Sequence, residues 1–305
     1  MEDSAKYKNY IDFDWWHGVN KRTIDSWIEN FDERELALQI LNQVIFYNTP
    51  QMRKYTECLI NLQKDRIFLQ TINESGLQYI DDETLNQKWA QYLEGIRILP
   101  AKKSEDVVCS ANRVIEYWRS ELGENLISEI AHIPEHIKDG IHHFVLADDF
   151  AGSGSQMLGI LDQEIMINDQ RIHIGDISDH YSDIKIEVAL YVIHAEAYRN
   201  ITKKYKKIEI LFIDYIDERL DYLNPDNPMF STKTEEEAER FRNTVRELQE
   251  KLRAKESKYE KMRKYSLNIP IVFEHGCPNN ALLLLFAKTE TWHQLFERAE
   301  KEKKE

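Results

Sequence analysis

Four apolar runs along the chain, three of them ending in acids, predict the strands of a sheet. The run Phe144-Val-Leu-Ala147 stops at Asp148-Asp149. A tetrad so short and so apolar suits a strand buried on both faces. Ile184 to Ile193 alternates at first and then becomes wholly apolar, which predicts a core strand. A helix is expected after it from about Glu196 to Lys204. Ile208 to Ile213 reads as a strand ending at Asp214, and Ile269-Pro-Ile-Val-Phe273 as another. Gln156 to Asp162 is expected to begin a helix after the strand that carries the acidic pair. Strands alternating with helices argue for a parallel α/β sheet.

The first hundred residues carry Pro50 alone before Pro100 and read mostly as helix. Trp27, Ile28, Phe31, Leu36, Leu38, Ile40, Leu41, Val44 and Ile45 form a helical face broken near Asp32, and Thr49-Pro50 restarts a helix. Ser104 is the expected N-cap of a helix carrying Val107, Val108, Ala111, Val114, Ile115 and Trp118. Neither Gly nor Pro occurs between Met229 and Ile269. Thr234 to Glu237 is a capping-box signature. Phe241, Val245, Leu248, Leu252, Tyr259 and Met262 then fall on four- and three-residue steps, with Lys255 at the missing position. Such a seam either covers the helix's own domain or grips a partner, a second copy included. The expected division is a helical region over 1–100 and an α/β domain over 101–305, with a long helical insertion at about 229–266.

Composition narrows the classes. An apolar fraction of 42% with 31% charged residues fits a globular protein carrying exposed helices. The longest purely apolar run, Ala281 to Ala287, is roughly a third of a membrane span, and the acidic start Met1-Glu-Asp-Ser does not read as a signal peptide. Three scattered cysteines, Cys58, Cys109 and Cys277, argue against a disulfide scaffold or zinc finger and fit a cytoplasmic protein. A net charge of −14 disfavours nucleic acid at long range. The basic run Lys203 to Lys207 reads as a solvated helix end.

Two stretches carry candidate chemistry. Asp148 and Asp149 can accept hydrogen bonds from sugar hydroxyls, while Gly152, Ser153, Gly154 and Ser155 let the backbone turn and aim N–H groups at a phosphate. Gln156 offers an amide at the same turn. The duller alternative is a strand end whose acids cap the next turn. Phe273-Glu274-His275-Gly276-Cys277-Pro278-Asn279-Asn280 gathers polar groups at another strand end, which suggests one pocket shared with the acids. There Glu274 or His275 would serve as general acid or base, or brace a ribosyl cation. Asn279 and Asn280 would read a base or hold pyrophosphate, or simply stabilise the Gly276–Pro278 turn. Cys277 reads as a buried structural thiol. His194-Ala-Glu196 imitates half of the zinc deaminase signature but lacks Pro-Cys-x-x-Cys. His132 and His136 have Pro134 between them, so no metal ligands are assigned.

The strand, its acids and Ser153-Gly154-Ser155 resemble the ribose-phosphate loop of type I phosphoribosyltransferases, with Gln156 in place of the usual final Thr. Together with Glu274 to Asn280, the loop resembles the phosphoribosyltransferase-like effector family of bacterial conflict systems, found beside reverse transcriptases in some retrons. The resemblance implies a parallel-sheet phosphoribosyltransferase-like core and a toxic effector of anti-phage defence. It implies a phosphoribosyl or nucleotide ligand altered at its anomeric carbon, by transfer or by glycosidic-bond hydrolysis. Asp148 and Asp149 would hold the 2′ and 3′ hydroxyls, Ser153 to Gln156 the 5′-phosphate, and Mg2+ a diphosphate. It also implies protein partners, with a retron reverse transcriptase and its nucleic acid among them. The rival is a non-catalytic nucleotide sensor or assembly subunit, which the Gln156 departure favours.

Overall fold

A computed structural model describes residues 16–76, 80–102 and 109–298. In chain order its strands are β1 (Ile45–Tyr47), β2 (Ile96–Pro100), β3 (His143–Ala151), β4 (Glu164–Ile167), β5 (Gln170–His173), β6 (Lys185–His194), β7 (Glu209–Ile216) and β8 (Ile271–Phe273). The chain forms two compact units, Pro50–Ile216 and the discontinuous Met1–Thr49 with Asp217–Glu305. Residue 100, where the sequence suggested a boundary, is the last residue of β2 within Pro50–Ile216.

The Pro50–Ile216 unit is built on a parallel sheet of order β2-β3-β6-β7. Its inner strands are buried along almost their whole length, which explains the apolar runs Phe144–Ala147 and Val188–Ile193 within them. Helices Ser110–Leu122 and Ile133–Lys138 connect β2 to β3. Helix Ser155–Leu161 follows β3, and Ala195–Lys204 joins β6 to β7. Leu146, Val188 and Leu190 of the sheet and Ile160, Leu161 and Ile201 of these helices share one apolar cluster. The expected helix start at Ser104 lies outside the described residues. The helix itself begins at Ser110, after Cys109, which provides no side-chain cap.

Two features of this unit escaped the sequence reading. Strand β2 lies in a stretch read as helical, and its pairing with β3 supplies the bonds that local propensity does not reveal. The β4–β5 hairpin turns on Asn168 and Asp169, both at positive φ. An Asn-Asp pair in that conformation fits a two-residue hairpin loop.

In the other unit β1 pairs with β8 in parallel, Ile45 opposite Ile271 and Tyr47 opposite Phe273. Ile45 therefore leaves the helical face assigned to it. The helices here are Lys21–Ile28, Arg34–Leu41, Glu235–Lys255, Ser257–Met262 and Leu283–Phe286. Trp27, Ile40, Phe241, Val245, Leu284 and Trp292 belong to a single apolar cluster. Both indoles donate to one carbonyl, Leu284 O, from Trp27 Nε1 at 2.8 Å and Trp292 Nε1 at 3.3 Å.

The expected uninterrupted helix is broken. The capping box forms at Thr234 and Glu237, but the helix ends at Lys255 and Glu256 takes an extended conformation. Ser257–Met262 folds back, so Arg263 donates to Glu250 at 2.6 and 2.8 Å. In a straight helix residues 13 apart would be separated by about 20 Å. Phe241, Val245, Leu252, Tyr259 and Met262 of the seam are buried in their own unit's core. Among the described residues no helix is long and apolar enough to cross a membrane.

Candidate functional site

The acid pair sits at the sixth and seventh positions of β3, and the strand runs two residues beyond it. Asp148 is 3% and Asp149 5% exposed. Asp148 carries several hydrogen bonds. Its Oδ1 accepts from Ser110 Oγ at 3.1 Å and from the Asp149 backbone N–H at 2.9 Å. Its Oδ2 accepts from Gln156 Nε2 at 3.2 Å. Burial, and then the charge of Asp149, hold the Asp148 carboxyl well above the ordinary carboxylate range despite these donors. Two acids this close in a dry setting resist ionising together.

Beyond the strand the chain turns at once. Gly154, at φ 78, is in the left-handed region that favours glycine and stands just before helix Ser155–Leu161. Ser153 Oγ and Ser155 Oγ lie 3.0 Å apart. The turn is bolted to helix Ala195–Lys204, with Asn200 Nδ2 donating to Ser153 O at 3.0 Å and Ala197 N–H to Gly152 O at 3.1 Å. First-turn N–H groups of a helix have no acceptor within it, so the turn presents donors next to the acids. A methyl group on Gly154 would meet Ala197 Cα at 3.1 Å. Gly154→Ala therefore combines backbone strain with a tight contact against main chain. It should cost about 1–3 kcal/mol and lower the melting temperature by several degrees, as thermal unfolding would show.

Gln156 is turned toward the acids, where its amide holds Asp148. Ser110 and Tyr191 are further polar neighbours that the sequence did not single out. The buried Tyr191 hydroxyl is 2.6 Å from Thr56 Oγ1, and burial, with Asp149 and Asp148 nearby, raises its pKa. Tyr191 gave no signal because it reads as one more apolar position of β6. Ser110 gave none either, because the helix expected from Ser104 made it one more interior position.

Glu274 to Asn280 belong to the discontinuous unit. Glu274 Oε2 accepts the N–H of Thr49, the first residue of the Thr49–Ser75 helix, where a negative charge is favourable. Its Oε1 is 3.6 Å from His17 Nδ1. The His275 ring packs 5.5 Å from that of Phe273. Gly276 closes a turn with Phe273. Cys277 is buried and its thiol pKa is pushed far up, which suits a structural thiol. Asn280 O accepts from Leu267 and Ile269 N–H, and its amide donates to Tyr265 O. Asn279 is exposed. Among the described residues no three His, Cys, Asp or Glu side chains gather as a metal cage.

A parallel sheet whose central strand leads through paired acids into a small-residue turn and a helix defines a phosphoribosyltransferase-like α/β protein. The chain belongs to the PRTase-CE family, which it matches over residues 24–298. No curated protein matches it.

Proposed function

We propose that the chain is a toxic effector of a bacterial anti-phage defence system, held in check by protein partners in the cytoplasm, and that it binds a ribose 5-phosphate compound and acts at its anomeric carbon. The observation that carries this reading is the buried Asp148-Asp149 pair running into the Gly152–Ser155 turn. The acids accept from the 2′ and 3′ hydroxyls, and the turn donates to the 5′-phosphate. The bond from the anomeric carbon to a diphosphate oxygen or base nitrogen breaks, and its electron pair leaves with that group. A bond to an incoming base or to water replaces it. Positive charge develops on the sugar ring between these events, and fixed carboxylates stabilise it more than they stabilise the neutral ground state.

Magnesium takes one or two carboxylates alongside substrate phosphates, and Asp148 and Asp149 are the acids that would stand beside it. When bound it supplies neutralising charge to a diphosphate.

One observation favours the second reading, a sensor that binds nucleotide without changing it. Gln156 stands where a phosphate-facing Thr is usual and occupies Asp148 Oδ2. The test follows phosphoribosyl pyrophosphate and a nucleotide pool with magnesium by phosphorus NMR, comparing wild type with Asp148→Asn/Asp149→Asn. The expected result is loss of the diphosphate resonance with wild type alone. Broadening without turnover, abolished in the variant, supports the sensor. Identical spectra with and without protein would sink both.

A further inference from the structure

The discontinuous unit has a cavity of about 240 Å³ whose wall includes Thr23, Ser26, Lys288, Thr289, Trp292 and His293. Three hydroxyls, an ammonium group, an imidazole and the Gln294 amide line it, and among the described residues no carboxylate does. In a chain of net charge −14, a concavity with donors and no acid is a departure from the average surface. The nearest acid on the Lys21–Ile28 helix, Asp25, is paired with Lys21 at 2.9 Å. From this lining we infer that the cavity is an anion site for a phosphate group, free or carried as a small monoester.

Its parts are held in place before any ligand arrives. Thr23 and Ser26 are three residues apart on one helix, which puts both on the same face; the Thr23 hydroxyl donates to Asn20 Oδ1 at 3.2 Å, which leaves Ser26 as the hydroxyl donor of that wall. Asn30, just past that helix, donates through Nδ2 to His293 O at 2.8 Å and accepts the His293 N–H at 2.9 Å, so the opposite wall is tied to the helix end. The Lys288 main chain is gripped by the Tyr259 hydroxyl, at 2.7 Å from its N–H and 3.0 Å from its carbonyl. Thr289 Oγ1 accepts the Thr291 N–H at 3.2 Å, which leaves its own hydrogen to donate. A second cation stands beside the site, since Lys255 Nζ donates to Thr291 Oγ1 at 2.6 Å. Trp292 closes the floor with its indole on Leu284 O.

A tetrahedral oxyanion matches this set better than a carboxylate. It has three or more oxygens to share among the donors of the wall, and a charge-assisted bond from Lys288 is the strong one. The site is independent of the acid pair, which belongs to the other unit, so its fate does not decide the reading above.

The test titrates the full chain with inorganic phosphate, then methyl phosphate, while the His293 ring and Trp292 indole resonances are followed. Chloride at equal ionic strength is the control. Saturable shifts are expected in wild type and in Asp148→Asn/Asp149→Asn. Lys288→Ala should weaken binding by about tenfold or more, and Lys288→Arg should restore most of it. Methyl phosphate binding as tightly as phosphate assigns a monoester, and much weaker binding assigns the free ion. Four outcomes would overturn the inference: shifts that never saturate, an equal response to chloride, unchanged affinity in Lys288→Ala, or loss of the response in the Asp148/Asp149 variant.

Discussion

Asp148→Asn is expected to make the ligand-free protein more stable at neutral pH while abolishing its response to a ribose phosphate. The wild-type carboxyl is buried next to Asp149, and its folded pKa is raised. A group raised in this way contributes its stability at low pH, and that contribution is lost as pH climbs from the ordinary carboxylate value through the folded one. Above the ordinary carboxylate range the pair therefore works against the fold. Asparagine keeps an oxygen for Ser110 and the Asp149 N–H, and Gln156 can rotate its amide to offer an oxygen to the new NH2. The gain should be on the order of 1–2 kcal/mol, read as a melting temperature several degrees higher, with a flatter dependence on pH above the carboxylate range. Under the proposed function the same change removes an acceptor for a ribose hydroxyl, so calorimetric titration with phosphoribosyl pyrophosphate should show no heat. A variant that melts lower than wild type across that pH range would contradict the assigned electrostatics.

Glu187 behaves in the opposite sense, and Glu187→Ala should be the most damaging single change in the sheet. Glu187 lies on β6 with no exposed surface. It accepts from Gln63 Nε2 and, at 2.7 Å, from Arg66 Nη1. Lys185 Nζ stands 3.3 Å away and His143 Nε2 3.7 Å away. Tyr92 completes the network by donating to Gln63 Oε1 at 2.9 Å. Burial alone would raise the Glu187 pKa, but His143, Lys185 and Arg66 outweigh it and hold the pKa below its ordinary value. Such a carboxylate contributes stability above the ordinary pKa, and the contribution is lost as pH falls through the depressed value. Removing it strands the Gln63 amide N–H, while Arg66 and Lys185 keep Glu209. The loss should be about 3 kcal/mol, at the low end for breaking a buried pair. Urea unfolding at neutral pH measures it, and Glu187→Gln, which retains a hydrogen-bonding side chain, should lose less. Equal stability of Glu187→Ala and wild type would refute the network's role.

These two acids show what a sequence reveals and what it hides. Asp148 and Asp149 were legible because they end an apolar run and precede a turn of small residues, a pattern carried within a dozen positions. Glu187 interrupts Ile186 and Val188 in a strand otherwise fit for burial. That charge was itself a signal that partners must exist, but Gln63, Arg66 and His143 come from distant parts of the chain. Strand β1 was hidden for the same reason: three residues gain a strand's identity only by pairing with Ile271 to Phe273. The capping box at Thr234 was readable because it is local. The break at Glu256 was not, because an ion pair between Arg263 and Glu250 and burial of Met262 compensate the lost helical bonds.

The indoles of Trp27 and Trp292 meet at one carbonyl, yet nearly the whole chain separates them. Synthesis proceeds from the amino end, so Trp27, Ile40 and Leu41 leave the ribosome long before Leu284 and Trp292 exist. The Pro50–Ile216 segment has all of its sheet strands by then and can fold as a unit, as domains do during translation. The earlier segment must wait with its apolar face uncovered. Nascent chains halted before residue 284 should therefore be the ones that chaperones hold and proteases cut, and the cut should fall ahead of Pro50.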